Sequence, residues 1–208
     1  PSSRPISCSF LMAEALPRLQ EMGGGETVFV SIAAGTTIGY FESVLGRETP
    51  VVRAMPNTPA AIGKGITAVI GNAAVSNEGV DEAVQLLQAV GQVVRLENEG
   101  QIDAVTGVSG SGPAYVFHMI ETLAAAGEAQ GLPAAMAMQL AKATIAGAGA
   151  LAEEAVESPS QLRVNVTSPN GTTQAGLEVL MDLETGLPSL INKTVAAATD
   201  RSKELAND

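Results

Sequence analysis

The sequence predicts an α/β region followed by an all-α region. Between residues 27 and 96, short β-branched runs alternate with turn signals and helical patterns, which is typical of a sheet with helical crossovers. Beyond about residue 100 the strand signals disappear and apolar residues recur at helical spacing. Aromatic residues make up only 3% of the chain, so the core must be aliphatic and alanine-rich, which favours closely packed helices.

Composition excludes several functional classes. The 208 residues carry a formal charge of −11, and a surface this acidic repels nucleic-acid phosphates. The single cysteine, Cys8, excludes an internal disulfide, and the single histidine, His118, argues against a metal site. No segment reaches the roughly 18 apolar residues of a spanning helix, and no signal-peptide pattern opens the chain. We therefore expect a soluble cytoplasmic protein without a metal, a nucleic-acid partner or a membrane partner.

The first half is predicted to contain four strands, each a β-branched run that ends at a turn signal. They cover residues 27–32, 51–55, 66–70 and 92–96. Thr36 or Thr37 is expected to cap the helix after the first strand, and Gly46 to end it. Asn77 is expected to cap the helix before the fourth strand. This alternation predicts a mostly parallel sheet.

The second half is predicted to be all-helical, with breaks at proline and glycine. The helical segments cover about 115–130, 133–157 and 162–166, a segment that ends near 181, and 187 to the C-terminus. Small residues at 124–127 and 146–150 would let helix axes approach closely, either within the chain or between subunits. We place the domain boundary near Gly100, which gives domains 1–99 and 100–208.

The polar segment 168–173 is the first candidate site. Ser168 is a good N-cap, and Pro169 fits the first turn of a helix. Gly171 leaves its backbone N–H open to approach, and Thr172 and Thr173 add hydroxyl donors. Because a helix N-terminus has unpaired N–H groups and partial positive charge, it favours a carboxylate or phosphate. The alternative is an ordinary solvated helix start.

The glycine-rich segment Gly107–Tyr115 also leads into a helix. Its spacing is neither Gly-x-Ser-x-Gly nor Gly-x-Gly-x-x-Gly, and no Lys-Ser/Thr follows, as a phosphate-binding loop requires. A serine hydrolase would need His118 as its base. That residue falls on the same helix as Tyr115, where a packed or partly exposed side chain is the simpler interpretation.

Two further segments follow predicted strands. They are Ala33–Gly35 and Arg53–Ala60, the latter stiffened by two prolines. Ligands of open α/β sheets bind beyond the carboxyl ends of the strands, and Asn57 and Thr58 offer hydrogen bonds there. The alternative for both segments is ordinary turn chemistry.

Taken together, these segments make the sequence resemble the pyrroline-5-carboxylate reductase family over about residues 11 to 205. The motifs that carry the resemblance are Ser31–Gly35, Arg53–Pro59, Asp103–Tyr115 and Val166–Thr173. The resemblance implies α/β followed by all-α: a Rossmann-type parallel sheet, here partial, and a C-terminal helical dimerisation domain that interlocks with a partner subunit.

The resemblance also implies an activity and its residues. Such enzymes transfer hydride from NADPH or NADH to the imine carbon of 1-pyrroline-5-carboxylate, which gives L-proline in the last step of proline biosynthesis. Thr173 is similar to the catalytic hydrogen-bond donor to the ring nitrogen. The positions that match the substrate site, at an interface between two chains, are Ser168, Gly171, Thr172 and Thr173. The positions that match the dinucleotide contacts are Ile32, Ala33 and Ala34, with Asn57 near the nicotinamide.

The sequence departs from the family pattern in its first residues. The family opens with a strand, a glycine-rich turn and a helix that hold the dinucleotide pyrophosphate, whereas Gly23–Gly25 follows a helical segment and precedes a strand. Residues 1–10 are atypical, with Ser7–Phe10 in place of Val-Lys-Pro-Gln, and Asn170 replaces a usual glycine. We expect a truncated reductase that is impaired in cofactor binding.

Two other functional classes are weighed against this interpretation. A different β-hydroxyacid-type dehydrogenase would place a lysine on the interdomain helix, and residues 112–130 contain none. A non-catalytic helical dimerisation module is the second alternative. Activity of the full-length protein would separate it from the enzyme, and sedimentation would test dimerisation independently.

Overall fold

The computed structural model describes residues 16–22 and 25–207, and its contacts divide the chain into two compact units. The first unit contains the sequence up to Pro113 together with Val195 onward, and the second contains Ala114–Thr194. The predicted domain limits at 1–99 and 100–208 stay a prediction. The atypical residues 1–10, which include Cys8, and Gly23 and Gly24 lie outside the described residues.

The first unit contains a four-stranded sheet in the order β1-β2-β3-β4. The strands are β1 (Phe29–Ser31), β2 (Val51–Met55), β3 (Gly65–Gly71) and β4 (Gly91–Arg95). Helix α1 (Ile38–Leu45) connects the parallel pair β1–β2, and helix α2 (Asn77–Gln88) connects the parallel pair β3–β4.

The predicted fold class is confirmed, but the sheet is mixed rather than parallel throughout. Strands β2 and β3 pair antiparallel, with Val52 opposite Gly71 and Met55 opposite Ala68. Their connection, residues 56–64, holds only a short 3₁₀ helix at Thr58–Ile62. Because a parallel crossover needs about a dozen residues or more, this connection can only reverse the chain.

The sequence identified the N-cap of α1 correctly but not the N-cap of α2. Thr37 caps α1, since its Oγ1 accepts a hydrogen bond from the Tyr40 N–H at 3.2 Å, and Gly46 ends the helix with φ of 96°. The cap of α2 is Ser76 rather than Asn77, and Ser76 Oγ accepts from the Gly79 N–H at 3.1 Å. Asn77 was the wrong choice because it is already helical, whereas Ser76 keeps the extended backbone of a cap.

Both faces of the sheet are covered by apolar side chains. On one side, Val51 packs with Phe41 and Leu45 of α1. On the other side, Val52 and the residues near it pack with α2; this cluster comprises Val52, Ala54, Val69 and Ala83. Burial of one such valine contributes roughly 1.5–3 kcal/mol, so the two clusters hold the strands and helices of this unit together.

From residue 101 to 207 the described chain is mainly helical, as predicted. The helices are α3 (Gln101–Val105), α4 (Gly112–Ala129), α5 (Ala134–Glu154), α6 (Pro159–Asn165), α7 (Thr172–Leu180) and α8 (Leu187–Asn207). A π-helical turn, Thr106–Gly110, separates α3 from α4. Neither α3 nor this turn was predicted, because the segment is too short to show an amphipathic period. Within the described ranges, no helix has both the length and the apolar character that crossing a membrane requires.

Helices α4 and α5 form a tight hairpin in the second unit. The chain turns at Gly131, whose φ is 94°, and the Leu132 N–H donates to the Gly127 carbonyl at 3.1 Å. A Cβ at Gly127 would lie 3.3 Å from the Cβ of Ala137. The small residues at 124–127 therefore serve a close crossing within the chain, whereas those at 146–150 are exposed.

Candidate functional site

The loop that follows β1 carries three of the predicted dinucleotide positions. Ile32 is 63% exposed, Ala33 is buried and Ala34 is exposed. Ser31 Oγ accepts a hydrogen bond from the Ala33 N–H at 3.2 Å, and Gly35 adopts a φ of 75°. Ile32 and Ala34 are thus exposed just beyond the carboxyl end of β1, where ligands of such sheets bind.

Asn57 links two segments that the sequence singled out separately. Its Oδ1 accepts from the Ile66 N–H at 3.0 Å, and its Nδ2 donates to the Ser109 carbonyl at 3.2 Å. A Cβ at Gly110 would lie 2.9 Å from Met55 Cε. The Arg53–Pro59 and Asp103–Tyr115 motifs therefore meet within the first unit. The side chain of Asn57 makes structural bonds there, and its contact with a nicotinamide stays a prediction.

The π-helical turn accounts for part of the glycine-rich motif. The Ser111 N–H donates to the Thr106 carbonyl at 2.8 Å, which is the long hydrogen bond of a π turn. Gly107 faces the last helix, where an added Cβ would lie 3.0 Å from the Val195 carbonyl oxygen. His118, by contrast, is an exposed side chain whose Nδ1 lies 3.1 Å from Glu121 Oε2 on the same helix.

The segment Ser168–Thr173 forms a turn followed by a helix start, which corrects the predicted cap. Helix α7 begins at Thr172 and its N-cap is Gly171. The Gly171 N–H donates to the Ser168 carbonyl at 3.0 Å, so it is not an open donor. Asn170 has a φ of 60° and its N–H donates to Gln174 Oε1 at 2.8 Å. This left-handed residue reverses the chain, which places Ser168 and Pro169 ahead of the helix.

The helix start itself remains accessible. Ser168, Thr172 and Thr173 are exposed. The first N–H groups of a helix have no intrahelical acceptor and carry partial positive charge, so this end of α7 suits an anionic group. A Cβ at Gly171 would lie 3.0 Å from the Ser168 carbonyl oxygen, so the close approach of the turn requires glycine.

The predicted site residues are divided between the two units. Ile32, Ala33, Ala34 and Asn57 belong to the first unit, and Ser168, Gly171, Thr172 and Thr173 belong to the second. Sequence reasoning missed Ser109, whose carbonyl accepts from Asn57, and Glu99, whose carboxylate accepts from Ile38 and Arg53. The only sequence signal for Glu99 is its position just before the Asp103–Tyr115 motif, and a main-chain acceptor such as Ser109 leaves no signal at all.

Known proteins are similar to this chain in both sequence and fold. A family model described as pyrroline-5-carboxylate reductase dimerisation matches residues 99–205. Pyrroline-5-carboxylate reductase from Pseudomonas aeruginosa is 45% identical over 181 residues, which are 87% of this chain and 66% of that protein. The chain spans about two thirds of the length of the curated relatives it matches.

Solved structures of pyrroline-5-carboxylate reductases are similar to this chain in fold. A pyrroline-5-carboxylate reductase from Coxiella burnetii matches with a TM-score of 0.89 and 36% identity, over 94% of this chain and 72% of that one. Pyrroline carboxylate reductase from Plasmodium falciparum, solved with NADP bound, matches with a TM-score of 0.83 and 28% identity, over 97% and 79% of the two chains. On these grounds, the chain belongs to the pyrroline-5-carboxylate reductase family.

Proposed function

We propose that this chain acts as a pyrroline-5-carboxylate reductase, an oxidoreductase of proline biosynthesis. A hydride from NADPH or NADH adds to the imine carbon of 1-pyrroline-5-carboxylate, the ring nitrogen takes up a proton from solvent, and L-proline results. The observation that carries this proposal is the exposed start of α7 at Thr172 and Thr173, which lies inside the region that the family model matches.

Different residues at the start of α7 bind the substrate carboxylate and activate the imine. The substrate carboxylate accepts hydrogen bonds from the first N–H groups of α7 and from the hydroxyls of Ser168 and Thr172. The Thr173 hydroxyl donates to the ring nitrogen, which makes the imine carbon a better hydride acceptor. Rate enhancement then comes mainly from fixing the ring in one orientation.

The cofactor contacts are assigned to the loop after β1. The exposed residues Ile32 and Ala34, just beyond the carboxyl end of β1, fit one end of a dinucleotide, and Asn57 is the further contact near the nicotinamide. When bound, NADPH or NADH supplies the reactive hydride. Ala33 is buried, so its part is to shape the loop.

We further propose that the 208-residue chain binds the dinucleotide weakly. Its sequence has no glycine-rich turn between a strand and a helix, which is the usual pyrophosphate site. A fluorescence titration with NADPH tests this: we expect no saturation in the micromolar range. Micromolar binding by the 208-residue chain would contradict the proposal.

The partner we propose is a second copy of the chain. Large apolar side chains of the second unit are exposed, among them Phe117 at 59%, Leu140 at 50% and Leu151 at 55%. Exposed aliphatic surface of this kind is typical of a protein–protein interface.

The Thr173 hydroxyl provides the test of the proposed reaction. Thr173→Val keeps the shape of the side chain and removes the donor, so we expect turnover of 1-pyrroline-5-carboxylate at high NADPH to fall about a hundredfold, as the loss of a transition-state hydrogen bond does. Thr173→Ser should retain most of the activity. Thr122→Val is the control, because the Thr122 hydroxyl bonds its own helix at the His118 carbonyl, 3.0 Å away.

A binding measurement makes the test independent of the cofactor. L-proline added to labelled protein should shift the amide resonances of Thr172 and Thr173, and it should leave those of Thr122 unchanged. An absence of both turnover and proline-induced shifts in the wild type would overturn the proposed function. A dimer that shows neither turnover nor proline-induced shifts would instead support the alternative function, a non-catalytic helical dimerisation module.

A further inference from the structure

Glu99 joins two elements that are distant in sequence. One carboxylate oxygen, Oε1, accepts a hydrogen bond from the Arg53 guanidinium at 2.6 Å and another from the Ile38 N–H at 2.8 Å. Arg53 lies in β2, and Ile38 is the first residue of α1. A single side chain thus connects the sheet with the helix that follows the candidate dinucleotide loop, which we define as residues 32–37.

The Arg53 side chain explains why an acid is needed at this place. Arg53 is only 5% exposed, in the middle of a strand whose other residues are apolar. A buried charge is costly unless it is paired and hydrogen-bonded. The Glu99 side chain is 31% exposed, so it reaches this buried guanidinium from the edge of the unit.

The Ile38 N–H explains why the acidic side chain at position 99 must be as long as glutamate. The first N–H groups of a helix have no intrahelical acceptor, and the side chain of the cap residue Thr37 accepts from the Tyr40 N–H rather than from that of Ile38. Ile38 is 9% exposed, which leaves its N–H little access to water. The Glu99 carboxylate satisfies this donor, and its negative charge also suits the helix N-terminus.

These contacts restrain the candidate dinucleotide loop at its far end. The near end is held by the pairing of β1 with β2, where Ser31 lies opposite Arg53. In the middle, a Cβ on Gly35 would lie 3.3 Å from the Leu205 carbonyl oxygen, so the loop has little space to shift. Since Glu99 occupies the start of α1, the loop offers a dinucleotide the exposed residues Ile32 and Ala34 rather than a helix N-terminus.

We propose that Glu99 is a positioning residue, which holds the candidate dinucleotide loop in its binding conformation through Ile38 and Arg53. The assignment rests on the proposed function, because it takes this loop as the dinucleotide contact. The contacts themselves make a prediction that does not depend on activity: reach, rather than charge alone, matters at position 99.

Two substitutions separate reach from charge. Glu99→Asp keeps the charge but shortens the side chain by one methylene, so it loses the Ile38 bond. Glu99→Gln keeps the length and an oxygen acceptor, so it retains that bond. The control is Glu97→Asp, the same shortening at an exposed carboxylate two residues earlier. The measurement is amide hydrogen exchange at Ile38, compared with the fully buried Val69 of β3.

We expect exchange at Ile38 in Glu99→Asp to rise about tenfold more than exchange at Val69, as the loss of a charged hydrogen bond implies. In Glu99→Gln the buried charge of Arg53 loses its ionic partner, which raises both exchange rates together, so the ratio of the Ile38 rate to the Val69 rate should stay within about threefold of the wild-type ratio. In Glu97→Asp both rates should be unchanged. Equal changes at Ile38 and Val69 in Glu99→Asp would show that Glu99 acts only on global stability, and no change at Ile38 would show that the bond restrains nothing. Either result overturns the proposal.

Steady-state kinetics tests whether the candidate dinucleotide loop affects cofactor binding. Glu99→Asp should raise the KM for NADPH about tenfold, with kcat within about twofold of the wild type, because the substrate site is untouched. A raised exchange rate at Ile38 with an unchanged KM would also overturn the positioning role. A wild-type chain without turnover would count against the proposed function, and the exchange comparison would still decide whether Glu99 holds the loop.

Discussion

At the scale of single residues, Gly107 and Gly171 are required by space rather than by backbone conformation. Gly171 has an ordinary φ of −86°, yet a side chain there would collide with the Ser168 turn. Gly107 lies in the π-helical turn, against the last helix, where a Cβ would lie 3.0 Å from the Val195 carbonyl and 3.4 Å from the Thr199 N. Two glycines of the family motifs are thereby explained by packing.

We predict that Gly107→Ala destabilises the protein by about 1–3 kcal/mol, because a backbone carbonyl cannot move aside as a flexible side chain can. Gly112→Ala is the matched control: nothing lies within 4 Å of a Cβ at that position, which is the first residue of α4. Urea denaturation measures both variants. Equal midpoints for Gly107→Ala and the wild type would refute the packing explanation.

At the scale of elements, the connection from α7 to α8 is organised by one exposed carboxylate. Asp182 Oδ1 accepts from the Thr185 N–H at 2.7 Å, from the Thr185 hydroxyl at 2.7 Å and from the Glu184 N–H at 3.0 Å. These three hydrogen bonds hold the pKa of Asp182 below its ordinary value. The largest contribution comes from the Thr185 N–H, followed by the Thr185 hydroxyl and then by the Glu184 N–H.

The sign of the pH effect follows from this lowered pKa. The bonds favour the ionised form, so their contribution to stability is present above the ordinary pKa of an aspartate and is lost as pH falls through the lowered value. We predict that Thr185→Val raises the pKa of Asp182 and that Thr185→Ser leaves it low, as measured by carboxyl NMR titration. An identical titration in Thr185→Val and the wild type would show that the hydroxyl has no part in the turn.

At the scale of the whole molecule, the second unit has a small internal core and a large exposed apolar surface. Its buried cluster consists of Ala124, Ala137 and Ala141, which supply little apolar area. The larger aliphatic side chains, such as Leu140 and Leu151, are half exposed. Such a unit gains stability when a second copy covers those side chains, which agrees with the dimerisation family model that matches residues 99–205.

We predict a homodimer by sedimentation equilibrium, and a dimer dissociation constant raised at least about tenfold by Leu140→Glu, which corresponds to about 1.4 kcal/mol. Leu86→Glu is the control, since Leu86 is 68% exposed on α2 in the first unit. A monomeric wild type, or equal dissociation constants for the two variants, would contradict the proposed interface.

Several features of the elements were predictable because their causes are local. The β-branched runs, the cap at Thr37 and the stop at Gly46 depend on neighbouring residues alone. The predicted cap at Ser168 failed because the left-handed Asn170 and the side chain of Gln174 build a separate turn before the helix. Helix α3 and the π turn were missed because each is too short to show an amphipathic period. In the structure, this segment contacts the last helix, where Asp103 accepts from the Ser202 hydroxyl at 2.7 Å.

By itself, the sequence determined the α/β-then-α fold class, most of the helices and strands, and the motifs that mark the family, because periodicity, caps and turns act over a few residues. The antiparallel pairing of β2 with β3 follows from their connection, which is too short for a parallel crossover. The tertiary structure alone decided that Asn57 bonds Ser109 and that Glu99 bonds both Arg53 and Ile38. Those contacts join residues 46 to 61 positions apart. No local pattern encodes such pairs, since they form only when the burial of apolar faces brings distant elements together.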